Sequence, residues 1–387
     1  MTLIQPLRYG RLCAIVVLLL AIQPGRAAMP DIPIPAPPAL NASSYVLVDS
    51  DSGSVLADKE ADKRVAPASL TKLMTAYVVF HALREKHITL EEEATVSRKA
   101  YRTPGSRMFI EINSRVSIQD LLMGMIVQSG NDASVALAEH IAGSEEVFAE
   151  MMNRYAQELG MTGSHFQNAT GLPGDEHYST AGDMATLARA LINDFPEYYR
   201  WYSIREFTYN DITQRNRNRL LWRDPTVDGF KTGHTDAAGY CLVASAIRDD
   251  MRLISVIMGS PSPRVRTDAS QALLNYGFRF FETHRLFAAG DVVETVKVWK
   301  GAEEAASLGI SRDLFVTIPR GAYDRLQPLV EMPATLIAPV KEGQPLGQLR
   351  IELDDKLLAA MPLAALSPVA EGSFWQRISD EVLLWFE

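Results

Sequence analysis

With 387 residues, 47 % of them hydrophobic and 22 % charged, the chain can bury the cores of two domains, and its composition excludes an intrinsically disordered protein. A formal net charge of −9 speaks against nucleic acid as a partner. The N-terminus reads as an export signal over residues 1–27. Arg8 and Arg11 precede the apolar run from Cys13 to Ile22, which is too short to span a bilayer comfortably, and Gly25 and Ala27 form a small-x-small cleavage site. An uncleaved membrane anchor is the alternative. Loss of the segment removes three arginines and no acid, taking the formal charge from −9 to −12. Cys13 leaves with it, so no intramolecular disulfide is expected, and Cys241 reads as an inert packed thiol in a strand.

Residues 28–40 carry five prolines and form a stiff, extended lead-in. Strand-like stretches at 45–49 and 55–56 flank the turn Ser50-Asp-Ser-Gly53, predicting a hairpin. Behind Pro67, the apolar residues Leu70, Leu73, Met74, Tyr77, Val78 and Phe80 predict a helix over 70–83. A second helical stretch, 118–127, breaks at Ser129-Gly130 and resumes over 132–140; residues 153–159 and 181–192 are helical as well. Strands follow at 239–246 and 252–258, and an amphipathic helix over 269–281 closes the unit. Strands at both ends with helices between them predict one sheet, formed by the termini and packed on a helical cluster, over residues 41–284.

Short β-rich runs at 292–298, 314–318, 336–340 and 348–353, separated by Gly and Pro turns, predict a small all-β domain over 285–370. The last segment, 371–387, is an amphipathic helix with Ser373 and Gln376 in capping-box spacing. Phe374, Trp375, Ile378, Val382, Leu383, Trp385 and Phe386 fall on one side, opposite Gln376, Arg377, Asp380, Glu381 and Glu387. Such a helix either docks on its own β domain or lies in a membrane interface. Its polar face is net acidic, so membrane attachment would rest on apolar burial alone.

Three short motifs carry the chemistry: Ser69-Leu-Thr-Lys72, Ser129-Gly-Asn131 and Lys231-Thr-Gly233. An S-x-x-K alone arises roughly once or twice by chance in a chain of ordinary composition. Together the three supply a hydroxyl nucleophile, two amines, a second hydroxyl and a carboxamide, the kit for acyl transfer through a serine ester. At the start of a helix, Ser69 and Lys72 project on nearly one face, so the amine can reach the hydroxyl. For Lys72 to act as a base its pKa must fall, through burial and a second cation, for which Lys231 is the candidate. Ser129 can relay a proton to a leaving group, and Asn131 can hold Lys72 or a substrate carbonyl. Gly233 lets a substrate backbone approach a strand edge, while Thr232 and Thr235 can bind a substrate carboxylate. The backbone N–H groups of Ser69 and His234 are the expected oxyanion hole.

The stretches 68–75, 128–133 and 228–235, with His165 to Asn168, Gly171-Leu172, Arg217-Asn218, Leu220 to Trp222 and Gly277 to Phe281, resemble the serine-type D-alanyl-D-alanine carboxypeptidases, the low-molecular-mass (class C) penicillin-binding proteins. The resemblance covers nearly the whole mature chain. It implies an α/β (α+β) fold: a β-lactamase/transpeptidase-like catalytic domain with an antiparallel sheet flanked by helices, then the small all-β domain and the terminal helix. It implies that Ser69 attacks the D-Ala–D-Ala bond of a peptidoglycan pentapeptide stem, with Lys72 taking its proton and Ser129 assisting. Asn131, Lys231, Thr232, Gly233, His234 and Thr235 then bind substrate. β-Lactams would acylate the same serine. No metal or cofactor is implied, the seven histidines form no H-E-x-x-H pattern, and His165 and His177 read as structural or loop residues. The loop 103–109 resembles one bordering the active site, with no catalytic role assigned. The expected location is the periplasm, peripheral on the outer face of the inner membrane through the C-terminal helix. That helix departs from relatives in having Arg377 alone against three acids.

Three rivals are weighed beside this. A β-lactamase would need a device for fast deacylation, such as a Glu in an E-x-x-L-N run, and none lies between Asn153 and Asp211. A D,D-endopeptidase acting on cross-links shares the chemistry and differs only in substrate reach. A non-catalytic peptidoglycan-binding scaffold would have no need of intact Ser69, Lys72, Ser129 and Lys231.

Overall fold

The computed structural model describes residues 34–385, so the export signal, the first half of the lead-in, Phe386 and Glu387 fall outside the described residues. Strands β1 (Ser44–Asp49) and β2 (Val55–Lys59) make the predicted hairpin. β1 is buried along its whole length, with Val46 and Val48 in one hydrophobic core and Tyr45 and Leu47 in another. That alternation is what a strand covered on both faces requires. β3 (Val227–Thr235), β4 (Gly239–Arg248) and β5 (Met251–Ser260) complete a five-stranded antiparallel sheet in the order β2-β1-β5-β4-β3. The first and last strands of the unit therefore lie side by side, and β3 is left as an edge. Asp249 and Asp250, both at positive φ, turn β4 into β5 as a tight two-residue hairpin.

Helices α1 (Lys72–Arg84), α2 (Ile118–Met123), α3 (Asn131–Ala142), α4 (Glu145–Glu158) and α5 (Ala181–Asp194) build the core on one face. Helix α6 (Pro263–Phe280) covers the other through Ala269, Leu273 and Leu274. α1 is apolar nearly all round and buried as such, from Leu73 to Leu83 with only His81 partly open.

Four boundaries differ from the periodicity. Residues Ala68–Thr71 wind as a 3₁₀ turn before α1. α2 stops at Met123 because Gly124–Gln128 form a π-turn that ends on Ser129 in the left-handed conformation. α4 starts at Glu145, capped by Ser144, and α6 at Pro263, capped by Ser262. In both, a polar first turn hides the apolar period.

The β domain follows α6 directly, with β6 (Phe281–Phe287), β7 (Val292–Trp299), β8 (Ala305–Gly309), β9 (Leu314–Pro319), β10 (Leu326–Glu331), β11 (Leu336–Ile337), β12 (Pro345–Leu353) and β13 (Lys356–Ala365). Six strands form one sheet in the order β10-β12-β13-β8-β7-β11, and β6 pairs with β9. Its own core gathers Leu308, Val316, Ile318, Leu349, Ile351 and Leu363. The domain is tied to the β1–β2 turn by Thr283 Oγ1, which donates to Asp49 Oδ2 (2.7 Å), and by Ser52 Oγ with Thr317 Oγ1 (2.6 Å).

Helix α7 (Phe374–Leu383) ends the described chain. Ser373 and Gln376 make the reciprocal cap, with Gln376 Oε1 accepting from Ser373 N at 2.8 Å. The acidic side of α7 is not idle. Asp380 Oδ2 accepts from Lys300 N, Glu381 pairs with the Lys300 ammonium, and Arg377 pairs with Glu371. The polar face is seated on the β domain, while Trp375 is 77 % and Trp385 85 % exposed.

Candidate active site

All nine residues singled out in the sequence converge on one cleft of about 930 Å³ between the start of α1, the α2–α3 break and the β3 edge. Ser69, Ser129, Asn131, Thr232, Gly233, His234 and Thr235 line it. Lys72 and Lys231 lie buried beneath them. The nucleophile turn and the strand edge are in contact: a Cβ on Gly233 would stand 3.0 Å from Pro67 O and 3.2 Å from Ser69 N. Only glycine lets the two backbones meet so closely.

Lys72 Nζ reaches Ser69 Oγ at 3.1 Å, Asn131 Oδ1 at 2.6 Å and the carbonyl of Thr170 at 2.5 Å. The Asn131 amide has one orientation, because its Nδ2 donates to Pro104 O at 2.6 Å, and a carbonyl can only accept. Two of the three partners of Lys72 are therefore obligate acceptors. A neutral amine satisfies both with its two N–H bonds and has its lone pair left for the Ser69 hydroxyl.

Burial brings the amine into that state, lowering the Lys72 pKa to about 7, with the Arg217 guanidinium adding to the fall and Asp132 and Glu145 opposing it. Arg217 thus joins Lys231 as a cation set against Lys72. Lys231 is itself held well below the usual lysine range by burial, then by Lys72, Arg217 and Arg266, and among the described residues its Nζ donates only to the Thr232 carbonyl, at 3.2 Å.

The surroundings are built to hold this geometry. Asp132, fully buried, accepts from the backbone N–H groups of Met108 (3.0 Å) and Phe109 (2.9 Å), so the loop 103–109 is pinned over the Ser129-Gly-Asn131 turn. Asn168 Oδ1 accepts from Thr170 N, Thr170 Oγ1 and Gly171 N, at 3.1, 2.9 and 2.8 Å, and so shapes the loop that presents the Thr170 carbonyl to Lys72. His177 fastens the same loop to the nucleophile turn. Its Nδ1 accepts from Gln167 N (3.0 Å), which leaves the proton on Nε2 to donate to Thr71 Oγ1 (2.8 Å). Burial pushes His177 down to about 4, consistent with a neutral ring in a structural role.

Ser129 Oγ is buried and has no hydrogen-bond partner among the described residues. It stands at φ 70°, a strained place for serine, and faces the cleft. Cys241 pairs with Gly233 across β3 and β4, and burial pushes its thiol up to about 11.

Among the described residues, four arginines line the cleft, Arg215, Arg217, Arg219 and Arg266, and no carboxylate does. Arg266 Nη1 donates to the Gly233 carbonyl at 3.0 Å, which puts its guanidinium beside the strand edge. Neither Arg266 nor the Thr170 carbonyl stands in a motif of its own; only the chain's return from distant positions makes them part of the site.

Comparison with known proteins agrees with this geometry. Residues 32–262 match the family model described as D-alanyl-D-alanine carboxypeptidase, and residues 281–371 that of the penicillin-binding protein 5 C-terminal domain. The chain is 44 % identical to the D-alanyl-D-alanine carboxypeptidase DacC of Escherichia coli, over 90 % of this chain and 89 % of the relative. It is 42 % identical to DacA of Haemophilus influenzae, over 90 % of each. The solved structure of penicillin binding protein 5 from Haemophilus influenzae superposes with a TM-score of 0.84 at 42 % identity, covering 87 % of this chain and all of that one.

Proposed function

The chain belongs to the D-alanyl-D-alanine carboxypeptidase family, and from that footing we propose that it removes the terminal D-alanine of peptidoglycan pentapeptide stems through an ester on Ser69, as a penicillin-sensitive enzyme of cell-wall remodelling. The observation that carries this reading is the setting of Lys72. Its two obligate acceptors consume both N–H bonds of the neutral amine and aim the lone pair at Ser69 Oγ, 3.1 Å away.

Ser69 gives its proton to Lys72 as it attacks the carbonyl of the penultimate D-alanine. The N–H groups of Ser69 and His234 receive the oxyanion. Ser129, whose hydroxyl is unpartnered among the described residues, passes the proton to the departing amine. Thr232, Thr235 and Arg266 hold the substrate's terminal carboxylate, and Asn131 keeps Lys72 in place. Water then splits the ester, leaving a tetrapeptide stem. Purified mature protein should release D-alanine from diacetyl-lysyl-D-alanyl-D-alanine, and Ser69→Ala should take release to background. Sustained penicillin hydrolysis without any D-alanine release would make the protein a β-lactamase instead.

Export to the periplasm and peripheral attachment to the inner membrane complete the proposal. In support, residues 1–27 have the pattern of a cleavable signal, and no helix among the described residues is long and apolar enough to cross a membrane. Helix α7 turns Asp380 and Glu381 to Lys300 and Phe374, Trp375, Val382 and Leu383 outward. Binding to vesicles should therefore need no anionic lipid and change little with salt. Removing Trp375 or Trp385 should weaken it roughly tenfold each, given the apolar area lost. Vesicle flotation that depends on anionic lipid, or that survives the double tryptophan-to-alanine change, would contradict this anchor.

A further inference from the structure

Strand β3 does not pair evenly with β4. Val227 faces Ala246 and Gly229 faces Ser245, so Asp228 is an extra residue, a bulge three positions ahead of Lys231. Side chains alternate along a strand, and one extra residue reverses the facing of all that follow. The bulge therefore decides that Lys231 goes beneath the cleft while Thr232 lines it.

The extra residue is gripped. Arg252 Nη1, from β5, donates to both oxygens of Asp228, at 3.0 and 2.7 Å, and to Ser245 Oγ at 2.8 Å. Tyr199 Oη donates to Asp228 Oδ1 at 2.6 Å. Burial, then the Asp228 charge, hold the Tyr199 pKa well above the ordinary range, which keeps the proton on the donor. A Cβ on Gly229 would stand 2.8 Å from Tyr199 Oη, so this brace rests directly on the bulge.

The bulge in turn holds a loop. Asn218 Nδ2 donates to the Gly229 carbonyl at 2.9 Å, and Asn218 Oδ1 accepts from Leu220 N at 3.1 Å. Asn216 Oδ1 accepts from Asn218 N at 2.9 Å, and Asn216 Nδ2 donates to Ile204 O, also at 2.9 Å. Both amides are buried. Arg217, between them, turns into the cleft, where its Nε donates to the Gln128 carbonyl at 3.1 Å, one residue before Ser129. Asp228, Arg252, Tyr199, Ser245 and Asn218 all stand outside the cleft lining.

We propose that Asp228, held by Arg252, is a positioning residue for the reaction: it fixes the bulge that aims β3 and, through Asn218, the place of Arg217. The proposal rests on the acyl-enzyme reading and adds what sets the base. Lys72 is faced by Arg217, Lys231 and His177 and by the carboxylates Asp132 and Glu145. Of these, the bulge governs Arg217 and Lys231. An Arg217 released from its loop repels the Lys72 ammonium less, so the base becomes neutral only at higher pH.

Stopped-flow acylation of the mature protein by penicillin across pH, with thermal melts beside it, tests this. Asp228→Asn and Asn218→Ala should each slow acylation about tenfold and move its pH midpoint upward, as Arg217→Gln does. Added to Arg217→Gln, Asn218→Ala should move the midpoint no further, because both act on the same cation. One nitrogen of Arg252 makes every contact to Asp228, so Arg252→Lys should recover most of the rate that Arg252→Met loses. Leu191→Ala, a core change on α5, is the stability control and should lower the melting temperature with the midpoint unmoved. Should Asp228→Asn not fold, Asn218→Ala, which leaves the ion pair intact, decides alone. Variants that melt earlier but keep the wild-type rate and midpoint overturn the proposal. So do midpoint shifts that add, a lysine that recovers nothing, or a control that shifts as far. If Arg217→Gln leaves the midpoint in place, the proposal falls and the carboxypeptidase reading is untouched. If wild type forms no acyl-enzyme, that reading falls and takes this one with it.

Discussion

Replacing Lys72 by arginine should slow acylation of Ser69 by about 10³-fold or more, a barrier rise of about 4 kcal/mol, although the positive charge and several donors are kept. The reason is protonation. Lys72 sits at about 7 because burial penalises its charged form and Arg217 repels it. A guanidinium stays protonated in the same setting and has no lone pair to offer. The wild-type rate should carry the mark of the same group. A base works when neutral, so the acylation rate by penicillin should climb as pH rises through about 7 and level off above it. Arg217→Gln removes the leading repulsive cation and should move the midpoint upward. A midpoint that does not move would assign the shift to burial alone, and a Lys72→Arg enzyme acylated at the wild-type rate would remove Lys72 as the base. Stopped-flow acylation across pH checks all three.

Gly171→Ala should be the most damaging substitution outside the motifs. Gly171 sits at φ +83°, and a Cβ there would fall 1.8 Å from Ala68 O and 2.9 Å from Thr71 Oγ1. The left-handed conformation costs about 1–2 kcal/mol for alanine, and the overlap adds about 1–3 kcal/mol more. The greater loss is geometric. The clash drives the Thr170–Gly171 loop away from the nucleophile turn, separating the Thr170 carbonyl from Lys72. Misplacement of about 1 Å near reacting groups costs on the order of 10²-fold in rate. Gly143 and Gly160 are controls, since both have positive φ and nothing within 4 Å of an added Cβ. Their alanine variants should lose stability alone. Thermal melts and acylation rates, measured side by side, separate the two effects; a Gly171→Ala enzyme with normal acylation would show that this loop does not position Lys72.

These cases show where the sequence is legible. Ser69, Lys72, Ser129, Asn131 and the β3 residues stand in local patterns: a helix start behind a proline, a glycine-centred break, a small residue on a strand. Such signals arise within a few residues and survive in the chain as written. The helix starts at Ser144 and Ser262 were also legible, the second with Pro263 at the first helical position, but their polar first turns drew the periodicity inward. What local pattern cannot show is the contact closed over a long loop. Thr170 comes to Lys72 across 98 positions, and Asn131 across 59. Arg217 joins Lys231 as a cation near Lys72 for this reason, since only the folded chain decides which charges meet. The acidic face of α7 is the same lesson. Taken alone it leaves an anchor only apolar burial to rest on; in the fold Asp380 and Glu381 meet Lys300, while Trp375 and Trp385 stay exposed.

The central claim is that Ser69 is the nucleophile of an acyl-enzyme primed by Lys72. Intact-protein mass spectrometry of the mature chain after brief exposure to penicillin tests it most directly. One penicilloyl group should appear, on the peptide holding Ser69, and be absent in Ser69→Ala. In Lys72→Arg it should form about 10³-fold more slowly. No adduct on the wild type, or an adduct that persists in Ser69→Ala, would contradict the account.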